Sequence, residues 1–190
     1  MPYTVALTDT HEQHNMALGA TVLKAELTVS DLDRSHFADY SLVVAQHPSE
    51  NAERVMVRVL AFALNACEDL QFGKGLSNED EAAVWEIDPT GRIVHWIEVG
   101  QPDETRLKKA CSRADRVSVY TFGRTAPLWL DKNRAALQKL EKVKLFLIDD
   151  EDTKTLASVH AKSMKLNWTI QEGEVYLDDR SIRVQTLGAA

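Results

Sequence analysis

The stretch that most constrains this chain is Asn78–Ala110, NEDEAAVWEIDPTGRIVHWIEVGQPDETRLKKA, which predicts a strand, a tight turn, a second strand and a helix. Val84, Trp85 and Ile87 mark a first strand over Ala82–Ile87. Ile93, Val94, Trp96, Ile97 and Val99 mark a second over Arg92–Val99. Between them Asp88-Pro89-Thr90-Gly91 is a turn: Asp bonds its own backbone, Pro presets φ and Gly accepts positive φ. Gly100 stops the second strand. Pro102, Asp103 and Glu104 then suit a helix start, where the dipole favours acids. If the hairpin closes symmetrically on Pro89-Thr90, Glu81 stands opposite Glu98. A bulge at Gly91 would bring Asp80 or Ala82 there instead. Like charges facing across a sheet are destabilising, and a hard divalent cation would remove that cost. The competing reading places Glu81 in a solvated acidic loop that never meets Glu98.

The rest of the chain supports one α/β domain. Its 190 residues are 44% hydrophobic, enough for a proper core. Residues 1–15 are polar and read as a loose extension, with 16–190 as the single domain. Met16 is an alternative start to Met1. Ala20–Val29 and His36–Gln46 predict a leading hairpin. Ser49 is placed to cap a helix running to about Cys67, with Val55, Val59, Phe62 and Ala63 on its apolar stripe. Glu50, Arg54 and Arg58, spaced by four, predict a solvated charged stripe on that helix. Leu70–Ser77, with Gly73-Lys74-Gly75, reads as a loop or flexible hairpin. Arg116–Phe122 and Val143–Ile148 are strands around a helix over Pro127–Lys142. A last helix is expected over Thr153–Ala161. Met164–Gln171, Glu174–Leu177 and Ser181–Leu187 are expected to close the chain as an antiparallel meander. The strand–helix–strand–helix–strand middle predicts a three-layer α/β core with a mixed sheet flanked by helices.

Charge and cysteine usage narrow the function classes. The net charge is -7, which argues against a general nucleic-acid coat protein but leaves room for a local basic site. Residues 101–150 hold eleven of the 22 Lys and Arg against seven acids, a balance of +4, while the first 100 residues are strongly acidic. Carboxylates for a metal beside cations for a phosphate are what a metal-dependent phosphodiesterase needs. Two attracting faces of any soluble protein show the same pattern. Cys67 and Cys111 are far apart and form no metal-ligand spacing, which fits a reducing cytoplasm. No signal peptide and no run of membrane-spanning length is present, so no membrane partner is expected.

HPSENAERVMVRVLAF, LQFGKGLSNEDE and above all WIEVGQPDETRLKKAC resemble the YaeQ family of bacterial proteins, from Met16 to about Leu187. The resemblance implies a variant of the PD-(D/E)XK, or restriction-endonuclease-like, fold. The activity of that family is not established. Carried over residue by residue, the nuclease motif would use Asp80, Glu81 and Glu98 to hold Mg²⁺ or Mn²⁺. Glu50 or Glu53 would be the acid from the preceding helix. Gly100 stands where the motif has lysine, so Lys108 or Lys109 would have to reach back. Arg54, Arg58, Lys74, Arg106 and Arg113 would hold the phosphate. Two function classes follow: a metal-dependent nuclease acting on nucleic acid, or a catalytically inactive nuclease-fold module binding nucleic acid or a protein partner.

Overall fold

The structure, a computed structural model, describes residues 19–73 and 80–187. Residues 1–15, Met16 and Lys74 lie outside that range. The leading hairpin forms from β1 (Thr21–Asp31) and β2 (His36–Gln46), in unbroken register from Thr21↔Gln46 to Asp31↔His36. In β1 the period-2 pattern is fully used. Leu23, Ala25, Leu27 and Val29 are buried, and the residues between them face solvent.

Helix α1 (Ala52–Asn65) is capped by Asn51, whose side chain accepts from the Arg54 N–H, and not by Ser49. The turn closed by Glu50 N–H onto the His47 carbonyl sets Ser49 outside the helix, where its hydroxyl meets His47 Nδ1 at 2.7 Å. Every residue of α1 from Val55 to Ala63 is buried. A helix buried on all sides runs through a core rather than over it. The charged stripe is therefore not solvated: Arg58 is only 1% exposed and Glu50 is buried too.

Two mixed sheets explain this. The second is built from β3 (Leu70–Phe72), β4 (Val84–Ile87), β5 (Ile93–Val99), β6 (Ala114–Phe122), β7 (Val143–Ile148) and β11 (Val184–Leu187), in the order β11-β7-β6-β5-β4-β3. Its β5, β6 and β7 are parallel and joined by α2 (Glu104–Arg113) and α3 (Ala126–Leu137), as the middle of the sequence predicts. Ile97, Val99 and Tyr120 pack toward α1, while Trp96, Val117 and Val119 pack toward α2 and α3. The expected three layers are present, and a further layer covers the other side of α1. That layer is the five-stranded sheet β10-β9-β8-β1-β2, formed with β8 (Ser163–Gln171), β9 (Glu174–Leu177) and β10 (Arg180–Ile182).

Three expectations need correction. The last strand does not complete a meander: β10 ends at Ile182 and β11 crosses to pair with β7 in the other sheet. The α3 helix stops at Leu137, short of Lys142. Helix α4 (Asp150–Ala157) begins earlier than expected because Asp149 caps it by accepting from the Asp152 N–H. Among the described residues no helix is long and apolar enough to cross a membrane.

Candidate functional site at the carboxyl ends of the parallel strands

The hairpin at the centre of the sequence forms, with Asp88 Oδ1 accepting from the Thr90 and Arg92 N–H groups and Gly91 at φ 86. Its register differs from the expected one. Val84 faces Ile97, Trp85 faces Trp96 and Glu86 faces His95, with an irregularity before Ile87↔Ile93. That irregularity moves the pairing along, and β4 begins only at Val84. Asp80 and Glu81 therefore lie outside the strand, and no carboxylate of theirs opposes Glu98 across the ladder.

Glu98 finds cationic and indole partners instead. It is 2% exposed, and its Oε1 accepts from Arg106 Nε at 2.8 Å and from the Trp96 indole at 2.5 Å. Burial raises its pKa above the usual carboxylate value, and Arg106, then Trp96 and Arg54, pull it back. Arg106 also donates to the Glu81 carbonyl at 2.9 Å, so one guanidinium spans Glu98 and the Glu81 backbone. Glu50 lies 3.5 Å from Arg54 Nε and 3.4 Å from Arg58 Nε, and Arg58 donates onward to the Ala45 carbonyl. Burial lowers the Arg54 value, and Glu50 and Glu98 together resist that by favouring its charged form.

Gly100 joins these two groups. Its φ is +102, and its amide bonds the Tyr120 carbonyl at 2.9 Å. A Cβ built there would stand 2.5 Å from Arg54 Nη1. The space that a side chain at position 100 would enter is thus filled by a guanidinium from α1.

The remaining expected residues go elsewhere. Lys108 pairs with Glu104 at 2.7 Å, four residues back along α2. Lys109 bonds the exposed Asp80 carboxylate, and Arg113 donates to the Asp80 carbonyl at 2.8 Å while lying over the Trp96 ring. Among the described residues no three His, Cys, Asp or Glu side chains gather at metal-ligand spacing. Glu98 Oε1 already receives a guanidinium and an indole. As arranged, the donor set does not fit a divalent ion.

A crevice of about 570 Å³ opens beside Gly100, where β5 and β6 end, and Glu53, Gln101, Arg124, Thr125, Asp150 and Lys154 help line it. Gln101 donates to Thr125 Oγ1 at 2.7 Å across it. The sequence reading missed Gln101, Arg124, Thr125 and Lys154. Their signal is position: ligands of open α/β sheets collect outside the carboxyl ends of parallel strands. A second hollow, between α3 and β7, is mostly apolar and contains none of these charges.

A family model described as YaeQ protein matches residues 16–187. The uncharacterized protein YaeQ of Escherichia coli (strain K12) is 41% identical over 165 residues, 86% of this chain and 91% of that protein. That of Salmonella typhi is equally similar. The crystal structure of YaeQ protein from Xanthomonas axonopodis pv. citri matches with a TM-score of 0.82 at 42% identity, over 88% of this chain and 97% of that one. The crystal structure of YaeQ protein from Pseudomonas syringae matches with a TM-score of 0.84 at 37% identity, over 88% and 96%.

Proposed function

The chain belongs to the YaeQ family, and from that premise we propose that it is a restriction-endonuclease-like module that binds the phosphodiester backbone of nucleic acid without hydrolysing it. One observation carries the reading: Arg54 fills the space above Gly100, where the nuclease motif has its lysine. The cation of the motif is supplied from α1 and tied to Glu50. The acid that would hold the metal, Glu98, is tied to Arg106. Arg54 and Arg106 flank this end of the sheet, and Arg124 lines the crevice beside them, where Lys154 pairs with Asp150 at 2.7 Å. In that crevice Arg124 is the guanidinium placed to meet a phosphate, by its charge and by its fork of donors. Among the described residues no carboxylate stands opposite Glu98 on the neighbouring strand, as activation of water through a metal would need.

A second reading, metal-dependent hydrolysis, is favoured by the span of Arg106 from the Glu98 carboxylate to the Glu81 carbonyl, which puts a single cation position between the two residues of the motif. Mg²⁺ or Mn²⁺ would have to displace that guanidinium.

Fluorescence anisotropy with labelled single- and double-stranded DNA and RNA, in chelator, separates these readings. Binding that weakens with salt, weakens about tenfold in Arg124→Ala and in Gly100→Ala (which displaces Arg54), and is followed by no cleavage in Mn²⁺ is the expected result. Cleavage in Mn²⁺ that disappears in Glu98→Gln would establish the hydrolase. No binding to any of the four substrates rejects both readings and leaves a protein partner.

A further inference from the structure

The outer edge of β2 is long, regular and nearly uncharged. Among the described residues no strand pairs with it. The directions of its backbone groups follow from the ladder. Lys24 N–H bonds the Lys162 carbonyl and Leu32 N–H bonds the Ile170 carbonyl, so even residues of β1 turn toward β8 and odd ones toward β2. The odd residues Leu23, Ala25, Leu27 and Val29 face Val44, Leu42, Tyr40 and Ala38. Residues 37, 39, 41, 43 and 45 of β2 therefore direct their N–H and C=O groups outward. Ala45 meets Arg58 there at 2.8 Å, which independently fixes the phase. From 37 to 43 the outward groups have no backbone partner among the described residues.

Natural edges are protected by Lys, Pro, bulges or shortness. Here HFADYSLVVAQ contains no Lys or Pro, one charge at Asp39, and no register irregularity. Its solvent face carries Phe37 and Val43, 65% and 66% exposed. Its inner-face residues Ala38, Tyr40 and Leu42 are only half-buried, unlike their counterparts in β1.

We infer that two copies of this chain join through β2, antiparallel and about a two-fold axis at Tyr40, in the register that sets Phe37 opposite the partner's Val43. The strand's own chemistry selects this occupant and this register. An axis at Tyr40 makes two aromatic–β-branched pairs and sets Asp39 opposite Ser41. An axis at Asp39 would oppose two carboxylates. An axis at Ser41 would set Asp39 against Val43 and engage the Ala45 carbonyl that Arg58 already holds. The symmetry is isologous, so the assembly closes at two copies. This surface is separate from the crevice at Gly100, and its test does not depend on nucleic-acid binding.

Sedimentation of the full chain over a concentration series should show a monomer–dimer equilibrium. Ser41→Pro removes an outward N–H and no β1 bond, and should shift the midpoint at least about tenfold toward monomer, as should Val43→Lys. Val22→Lys, an exposed apolar position on β1 away from the edge, should leave it unchanged. In a Cys67→Ala, Cys111→Ala background, Phe37→Cys with Val43→Cys should cross-link two copies on oxidation, because hydrogen-bonded antiparallel pairs lie at about 5.5 Å between Cα atoms. Phe37→Cys with Ala45→Cys should not. A monomer at every concentration overturns the inference. So does a dimer indifferent to Ser41→Pro and Val43→Lys, or one cross-linked only through position 45.

Discussion

Two of the protein's hairpins, β1–β2 and β4–β5, are of similar make and opposite surroundings. In β1–β2 one face is wet. Glu26 projects to solvent and accepts from the Ser41 hydroxyl at 2.6 Å, and the register runs without interruption. In β4–β5 the second strand is buried on both faces. Trp96 and Glu98 lie under α2, while Ile97 and Val99 lie under α1. The same residue type, glutamate in mid-strand, is a solvated ornament in one hairpin and a buried charge needing a fixed partner in the other. A wet face lets side chains exchange partners with water. A dry face obliges each polar atom to find its partner within the fold.

Removing that fixed partner should cost the dry hairpin the most. Arg106→Ala would leave the Glu98 carboxylate buried against the Trp96 indole, a neutral donor. Breaking a buried pair costs about 3–5 kcal/mol; because Arg106 is 27% exposed and water can enter after truncation, about 2–3 kcal/mol is expected here. Urea unfolding at neutral pH measures it. Arg106→Lys keeps the charge but loses the fork that reaches both Glu98 and the Glu81 carbonyl, and should lie between. A loss below about 0.5 kcal/mol for Arg106→Ala would mean that the dry hairpin tolerates charge as the wet one does.

Acid tests the same strand from its other face. His95 is buried, with Nε2 2.8 Å from Ser118 Oγ and Nδ1 without a partner among the described residues. Burial, then the nearby Arg116 and Lys144, take its pKa from 6.5 down to about 3. The folded protein thus holds His95 neutral while the unfolded chain takes up a proton. The stability it contributes is full above about pH 6.5 and is lost as pH falls toward 3, reaching about 2 kcal/mol of loss by pH 5. Glu98 acts with the opposite sign. Its raised value keeps a proton on the folded state, so its contribution declines as pH rises from the ordinary glutamate value through the raised one. Urea midpoints at pH 7.5 and pH 5 should fall for the wild type and fall clearly less for His95→Gln. Equal falls would remove His95 as the source.

These contrasts explain what was legible in the sequence. The Asp88–Gly91 turn, the β1–β2 hairpin and the β5–α2–β6–α3–β7 run rest on local signals: turn chemistry, period 2 and period 3.6. The register of β4–β5 rests on an irregularity between Glu86 and Ile87 that the turn residues do not announce. Burial of Arg58 depends on a second sheet whose central pairing, Lys24↔Ser163 to Asp31↔Ile170, joins distant parts of the chain. An i,i+4 charged stripe looks the same on a wet helix and on one enclosed between sheets. Glu98, Gly100, Arg54 and Arg106 could all be named from the sequence. Their partners could not, because Arg54 reaches Gly100 from another element, and only the packing of α1 on β5 brings them together.

In the wet hairpin the corresponding change should cost little. Glu26→Ala removes a carboxylate that accepts one hydroxyl bond at the surface, 2.6 Å from Ser41 Oγ. Neither partner is left stranded: the Ser41 hydroxyl turns to water, and no buried atom changes its surroundings. Alanine has a lower strand preference than β-branched residues but is no worse than glutamate on an open face. The change should therefore stay within about 0.5 kcal/mol in urea unfolding, several-fold below Arg106→Ala. The neighbouring pair, Thr28 Oγ1 donating to Asp39 at 2.7 Å, should behave alike in Asp39→Ala. A loss from Glu26→Ala comparable to that from Arg106→Ala would show that this face is covered in solution, and would move the explanation from the buried charge to whatever covers β1 and β2.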